Sequence, residues 1–302
     1  MSERSERNPG IKSPPDPKPA LAGDSAKLPS NQSEKPRAVA LIGFCTDENS
    51  SFLHGAAKGP PLIRRELFSA ARNLWTEGGI DLGREGILDD AGDISSASPS
   101  QIEDAVSSLM AQGRRPLALG GDHSITFPIV RAIAREYSSL SILHFDAHPD
   151  LYHDFRGNPF SHASPFARIM EAKLAQRLVQ VGIRTMNAHQ REQAERFGVE
   201  VIEMKNIEEG LALMFDTPVY VSVDIDALDP AFAPGVVHRE PGGLSTRQLI
   251  EIIQSINAPV IGADIVEFNP ELDPTGMTAV VCAKILKELA GKMLTLEPVP
   301  GS

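Results

Sequence analysis

The sequence predicts an α/β protein in three layers, α/β/α, around a mainly parallel sheet. Two observations carry that prediction. Six short runs dominated by Val, Ile and Leu read as strands buried on both faces, and amphipathic stretches of helical length fall between them. Nearly continuous apolar strands are characteristic of parallel sheets covered by helices on each side, and repeated strand–helix alternation is what builds such a sheet. Of the 302 residues, 41% are apolar, which is enough for a sizeable core.

Along the chain, residues 1–36 stand apart. They are rich in Pro, Ser, Lys and Glu and almost free of apolar side chains, so they are expected to form a disordered tail ahead of a single domain over 37–302. AVALIGF (38–44) reads as the first strand, followed by helical patterns over 61–74 and 101–112. PLALG (116–120) and LSILHFD (140–146) are the next strands, separated by a helix over 127–136. A helix over 164–176 then leads to the strand RLVQVGI (177–183), and a helix over 188–197 to VYVSVDID (219–226). A helix over 246–256, the strand PVIGADIV (259–266) and a last helix over 277–291 complete the domain. Neither an internal repeat nor a Pro/Gly linker divides it.

Charge and cysteine content exclude several functions. A net charge of −11 is a poor match for phosphate backbones or anionic membranes. The two cysteines, Cys45 and Cys282, are too few for a disulfide framework and read as core thiols. No apolar run reaches the length of a membrane span. The tail has no apolar signal segment and mixes acids with its bases, against a transit peptide, so a cytoplasmic location is expected.

In an open parallel sheet, ligands bind beyond the carboxyl ends of the strands, so the residues just past each strand are informative. GGDHS supplies Asp122 and His123; DAHPD supplies Asp146, His148 and Asp150; DIDALDP supplies Asp224, Asp226 and Asp229; DIVEFNP supplies Asp264 and Glu267. A single Asp after a strand is most often a cap for the next helix. Capping does not explain D-x-H-x-D in one loop and D-x-D in another. Residues two apart on an extended segment project the same way, so Asp146, His148 and Asp150 point together, as do Asp224 and Asp226. With His123 they make four carboxylates and two imidazoles. Such a cluster repels itself unless cations lie within it. An oxygen-rich set with a minority of His suits Mn²⁺ better than structural Zn²⁺. Bridging carboxylates would hold two ions roughly 3.5–4 Å apart and make a bridging water acidic enough to be hydroxide near neutral pH. The residues therefore point to a dinuclear metal hydrolase.

GGDHS, FDAHPDL and SVDIDALDP, in this order and spacing over about residues 38–291, resemble the ureohydrolase family of arginases and agmatinases. SHASPFARIME, PAFAPGV, EPGGLS and PTGMTAVVCAKIL look most like plant-type arginases. The resemblance implies an arginase-like fold and two Mn²⁺ per subunit. One ion would be held by His123, Asp146, Asp150 and Asp224, the other by Asp146, His148, Asp224 and Asp226. It further implies catalytic roles for Asp150, Glu267 and His162, with Glu267 pairing with the substrate guanidinium and His162 shuttling a proton to the leaving amine. The implied reaction is hydroxide attack on the guanidinium carbon, releasing urea and an amine. A homo-oligomer, trimer or hexamer, is implied as well.

Substrate choice is less sharply written. Animal-type arginases carry an Asn two residues after DAHxD; here that position is Tyr152. Tyr152, Asn158 and Ser161 are candidate substrate contacts. L-arginine is the first expectation, agmatine the alternative, and other guanidino acids stay open. A single-zinc deacetylase-like enzyme is disfavoured by the presence of His123, and a non-catalytic relative by the intact ligand set with Glu267. His144 is read as packing within the sheet, His153 as undecided between pocket and surface, and His238 as a residue that can line the rim. Asp122 and Asp264 are read as partners of ligands, and Asp229 as a turn former.

Overall fold

Eight parallel strands make one sheet, in a computed structural model that describes residues 38–296. The expected tail over 1–36 lies outside the described residues. The strands are β1 (Val39–Cys45), β2 (Leu88–Ser95), β3 (Arg115–Gly120), β4 (Ser141–Phe145), β5 (Arg177–Ile183), β6 (Glu200–Glu203), β7 (Val219–Asp224) and β8 (Val260–Val266). Their spatial order is β2-β1-β3-β8-β7-β4-β5-β6. Six coincide with the anticipated apolar runs. The other two, β2 and β6, occupy the two edges of the sheet. Edge strands keep one flank open to solvent, and LDDAGDIS and EVIE accordingly carry acids and lack the buried pattern of a central strand.

Among the described residues, seven α-helices cover the sheet: α1 (Gly59–Leu67), α2 (Pro99–Ala111), α3 (Thr126–Ile133), α4 (Pro165–Glu171), α5 (Ala188–Phe197), α6 (Thr246–Ser255) and α7 (Met277–Met293). Two separate apolar clusters define the layers. Alternate residues of the strands, such as Leu41, Leu117 and Leu143, pack with Ile63 of α1, Leu249 of α6 and Leu286 of α7. The intervening ones, such as Ile42, Ala118 and Ile142, pack with Val106 of α2, Ile129 of α3 and Phe166 of α4. This is the period-two alternation of a sheet buried on both sides. Local chemistry sets the helix starts: α2, α5 and α6 open with capping boxes at Ser98/Gln101, Asn187/Gln190 and Ser245/Gln248. Three helices, α1, α3 and α4, stop earlier than their apolar patterns suggest. The Ser69 hydroxyl accepts from the Ala71 N–H at 3.3 Å, in a turn that competes with extending α1. Beyond α4, Lys173 takes φ +53°, a left-handed conformation that does not continue a right-handed helix.

Strand order gathers the chemistry in one place. The four strands whose carboxyl ends carry the acids and histidines, β3, β8, β7 and β4, are neighbours at the centre of the sheet. Their loops therefore open onto one rim.

Candidate metal centre

His123 sits at the floor of this rim. Gly120 ends β3, and Gly121 lies so close to Thr46 that a Cβ would come within 1.9 Å of the Thr46 carbonyl oxygen. Glycine there lets the loop press against its neighbour and turn His123 inward. Asp122 is buried and caps the turn, accepting from the Ser124 N–H at 3.0 Å and the Asn49 N–H at 2.9 Å. Burial and the Glu267 charge push its carboxyl up to about 6. The His123 ring is fixed by a relay from below. The Ser222 hydroxyl donates to Asp264 at 2.6 Å, so it accepts from His123 Nε2–H at 2.9 Å. Asp264 also accepts from Thr126 and Tyr220, at 2.7 and 2.6 Å. The relay leaves Nδ1 with its lone pair directed into the site.

That Nδ1 atom is buried and has no hydrogen-bond partner, yet Asp150 lies at 3.1 Å and Asp146 and Asp224 at 3.4 Å. A lone pair and three carboxylates facing one point fit a cation placed between them. A second convergence lies alongside: His148 Nδ1 is 3.0 Å from Asp226 and 3.3 Å from Asp146. Asp146 faces both. The Asp224 carboxylate accepts from the Asp226 N–H at 2.8 Å, and Asp226 from the Ala147 N–H at 3.1 Å. Arg184 fastens this turn from outside, donating to the carbonyls of Asp226 and Leu228 at 2.6 and 3.3 Å.

Burial and the charges of Asp226 and Asp146 hold the Asp224 carboxyl well above its usual range. Burial and Asp146 push Asp226 up to about 6. Chelation of divalent ions is therefore expected to lower Tm more at about pH 7.5 than at about pH 5. Between about pH 4 and 6 the unfolded Asp226 is ionised while the metal-free fold keeps it neutral, so stability falls with rising pH and the full penalty stands above about 6. Bound cations offset it. Thermal melts with and without chelator check this, and an equal loss at both pH values would contradict it.

Two of the site residues hold left-handed backbone: Asp150 at φ +48° and Glu267 at φ +64°. Such conformations are uncommon for residues other than Gly and cost of order 1–3 kcal/mol each, which the surrounding structure must hold. Glu267 is held by its N–H, which donates to the Gly121 carbonyl at 2.8 Å. Its carboxylate Oε1 accepts from the His123 N–H at 2.9 Å and from His162 Nδ1 at 2.8 Å. Burial opposes ionisation of Glu267, but His162 more than offsets it and the carboxyl titrates below its usual range. His162, in turn, is disfavoured as a cation by burial but raised to about 9, chiefly by Glu267.

These groups line a cavity of about 190 Å³, whose wall includes His148, Asp150, Tyr152, His162, Asp224, Asp226 and Glu267. His123 and Asp146 lie beneath it, fully buried. Asn158 and Ser161 are not in its wall: the Asn158 amide bonds Asn49, and the Ser161 hydroxyl accepts from the Ala163 N–H. The Tyr152 hydroxyl accepts from the Asn187 amide at 2.7 Å. His238 does reach the rim, with its ring 5.7 Å from those of both His148 and His162. His153 turns outward to Glu171, and Asp229 caps its turn through the N–H groups of Ala231 and Gly242.

Besides Asn158 and Ser161, two residues depart from their sequence-based readings. His144 is more than packing. It shares a strand face with Asp146, two residues on, and donates to its carboxylate from Nε2 at 2.9 Å while Gln180 donates to Nδ1 at 3.1 Å. Cys282 is a core thiol, but Cys45 is only half-buried. Sequence reasoning missed Ser51, Thr185, Asn187 and Gln190 in the cavity wall. The rule that found the acids, to inspect the residues just past each strand, finds them too when applied to β1 and β5.

The chain matches the Arginase family model over residues 37–291. It is 45% identical over 277 residues to "Arginase 1, mitochondrial" of Arabidopsis thaliana, covering 85% of this chain and 81% of that one. It is 33% identical to "Agmatinase" of Bacillus anthracis, covering 87% and 94%. Among solved structures, the arginase from Medicago truncatula superimposes with a TM-score of 0.82 at 43% identity, over 85% of this chain and 88% of that one. The expected cytoplasmic location is overturned by the first of these names, which carries the word mitochondrial. That expectation weighed acidic residues in a tail outside the described residues, where side-chain charge alone is weak evidence of address.

Proposed function

The chain belongs to the arginase family, and on that premise we propose that it hydrolyses a guanidino group to release urea, with L-arginine as substrate. The observation that carries this reading is the convergence of His123 Nδ1 with Asp146, Asp150 and Asp224 below a cavity walled by Glu267 and His162. His123, Asp146, Asp150 and Asp224 would hold one divalent ion, and Asp146, His148, Asp224 and Asp226 a second. The oxygen-rich donor set, with two imidazoles and no thiolate, suits Mn²⁺. Such ions, when bound, supply an acidified water and countercharge for the reaction.

The remaining work falls to the chain's own groups. Glu267 would orient the planar guanidinium, since a carboxylate matches its paired N–H groups. His162, charged below about pH 9, would give a proton to the departing amine. His144 and Ser222, through their hydrogen bonds, would hold Asp146 and His123 at their angles. Tyr152 and Asn187, joined at the cavity mouth, would contact the far end of the substrate. A homo-oligomer, trimer or hexamer, belongs to the same reading. Among the described residues no helix is long and apolar enough to cross a membrane.

Agmatine is the second reading, favoured by the agmatinase relative. Metal analysis with urea release from arginine, agmatine and guanidinobutyrate separates them. Arginine is expected to exceed agmatine in kcat/KM by about two orders of magnitude or more, because a site built for a carboxylate rejects the analogue lacking it. An equal or reversed preference would leave the urea-releasing chemistry and remove arginine as the substrate.

A further inference from the structure

We propose that Ser51 is a positioning residue for His162, fixing its ring and the proton on Nε2 for delivery to the leaving amine. The inference rests on the urea-releasing reading of the site and adds a residue to it. The Ser51 hydroxyl lies 2.8 Å from His162 Nε2, and Glu267 Oε1 lies 2.8 Å from Nδ1 on the far side of the same ring. Ser51 lines the cavity. Serine, histidine and glutamate thus stand in a line, the order that activates a serine nucleophile in unrelated hydrolases.

Two features turn the line to another use. Glu267 keeps His162 charged to about pH 9, against the effect of burial, so the ring does not take a proton from Ser51 at neutral pH. The Ser51 N–H donates to Nε2 at 3.2 Å, a bond that suits the neutral ring, and is not directed into the cavity where an oxyanion would need it. When the ring is charged, the Nε2 proton displaces that N–H bond and is donated to the Ser51 hydroxyl, 2.8 Å away. Once Nε2 has lost its proton to the amine, the bare nitrogen accepts from the Ser51 hydroxyl or N–H, until solvent returns a proton. A hydroxyl, being both donor and acceptor, suits a nitrogen that alternates between these states.

Its placement is built into the fold. The Asp47 carboxylate closes the loop carrying Ser51 by accepting from the Gly55 and Ala57 N–H groups at 2.6 and 3.2 Å. Asn49 then ties this loop to the one carrying His162. Its carbonyl accepts from the His162 N–H at 3.2 Å, its side-chain oxygen accepts from Asn158 at 3.0 Å, and its own N–H donates to Asp122 at 2.9 Å. The charged groups that act on His162 are Glu267, Asp150 and Asp122, and the His238 ring stands 5.7 Å away.

The test uses full-length, Mn²⁺-loaded protein. Ser51→Ala should keep its metal and lower kcat roughly ten- to hundredfold, the range of a charge-assisted hydrogen bond. The alkaline limb of kcat should move to lower pH, because the charged ring has lost an acceptor. Ser51→Thr, which keeps the hydroxyl, should recover most of the rate. In a His162→Ala background, Ser51→Ala should cost almost nothing more. An unchanged kcat and alkaline limb, or an equal loss in both backgrounds, would overturn the proposal while leaving the hydrolase reading in place. Wild-type protein that releases no urea from any guanidine tested would remove both, and that result is read before any variant is compared.

Discussion

Asp224→Ala is expected to release at least one divalent ion per chain and to lower urea release by about a thousandfold or more, equivalent to about 4 kcal/mol of barrier. The carboxylate does two things at once. One oxygen faces His123 Nδ1 at 3.4 Å, and the other shapes the turn by accepting the Asp226 N–H at 2.8 Å. Alanine removes a donor from both proposed ion positions and loosens the turn that presents Asp226. The metal-free protein should behave in the opposite sense. Burial and the charges of Asp226 and Asp146 disfavour an ionised Asp224, so deleting it relieves repulsion. The variant without metal is therefore expected to melt no lower than the stripped wild type, while losing the Tm gain that Mn²⁺ gives. Metal analysis, urea assay and paired melts check the three parts. Two ions retained with activity within about tenfold of wild type would refute the proposed bridging role.

The acids were legible because the fold's logic and their spacing coincide. A parallel sheet sends its functional residues to strand ends, and i, i+2 placement sends Asp146, His148 and Asp150 to one side. The same regularity explains His144, which shares Asp146's parity and so reaches it. Other features leave no periodic trace. The loops after β1 and β5 bring Ser51 and Asn187 to the cavity from positions with no motif around them, so the strand-end rule reaches those loops while nothing in their residue types singles the two out. The left-handed backbone at Asp150 and Glu267 is likewise silent, since neither position is glycine, the residue that would have announced it. The edge strands β2 and β6 escaped because exposure on one flank dilutes the apolar signal that marks the central strands.

Glu267→Gln should leave the metals bound and lower kcat by about a hundredfold or more, because a guanidinium without its countercharge sits poorly for attack. Its geometry gives the substitution a second signature. Oε1 is shared between the His123 N–H and His162 Nδ1, so the carboxylate that would orient the substrate also keeps the proposed proton donor charged. With the charge gone, burial prevails and the titration of His162 falls from about 9 toward or below the ordinary imidazole value. The alkaline limb of kcat should follow it down. Stability moves by the same linkage. A raised His162 contributes stabilisation that is fully present below its unfolded value and is lost as pH rises through about 9, and the lowered Glu267 carboxyl loses its own share as it protonates in acid, so the variant should be less stable than wild type around pH 5–7 and converge with it above about 9 and in strong acid. Kinetics across pH, melts across pH and metal analysis separate the two roles. A strand-end carboxylate with a purely structural task would lower Tm and leave both the rate of the folded enzyme and its alkaline limb unchanged. A fall in kcat with the limb in place would instead confine Glu267 to holding the substrate.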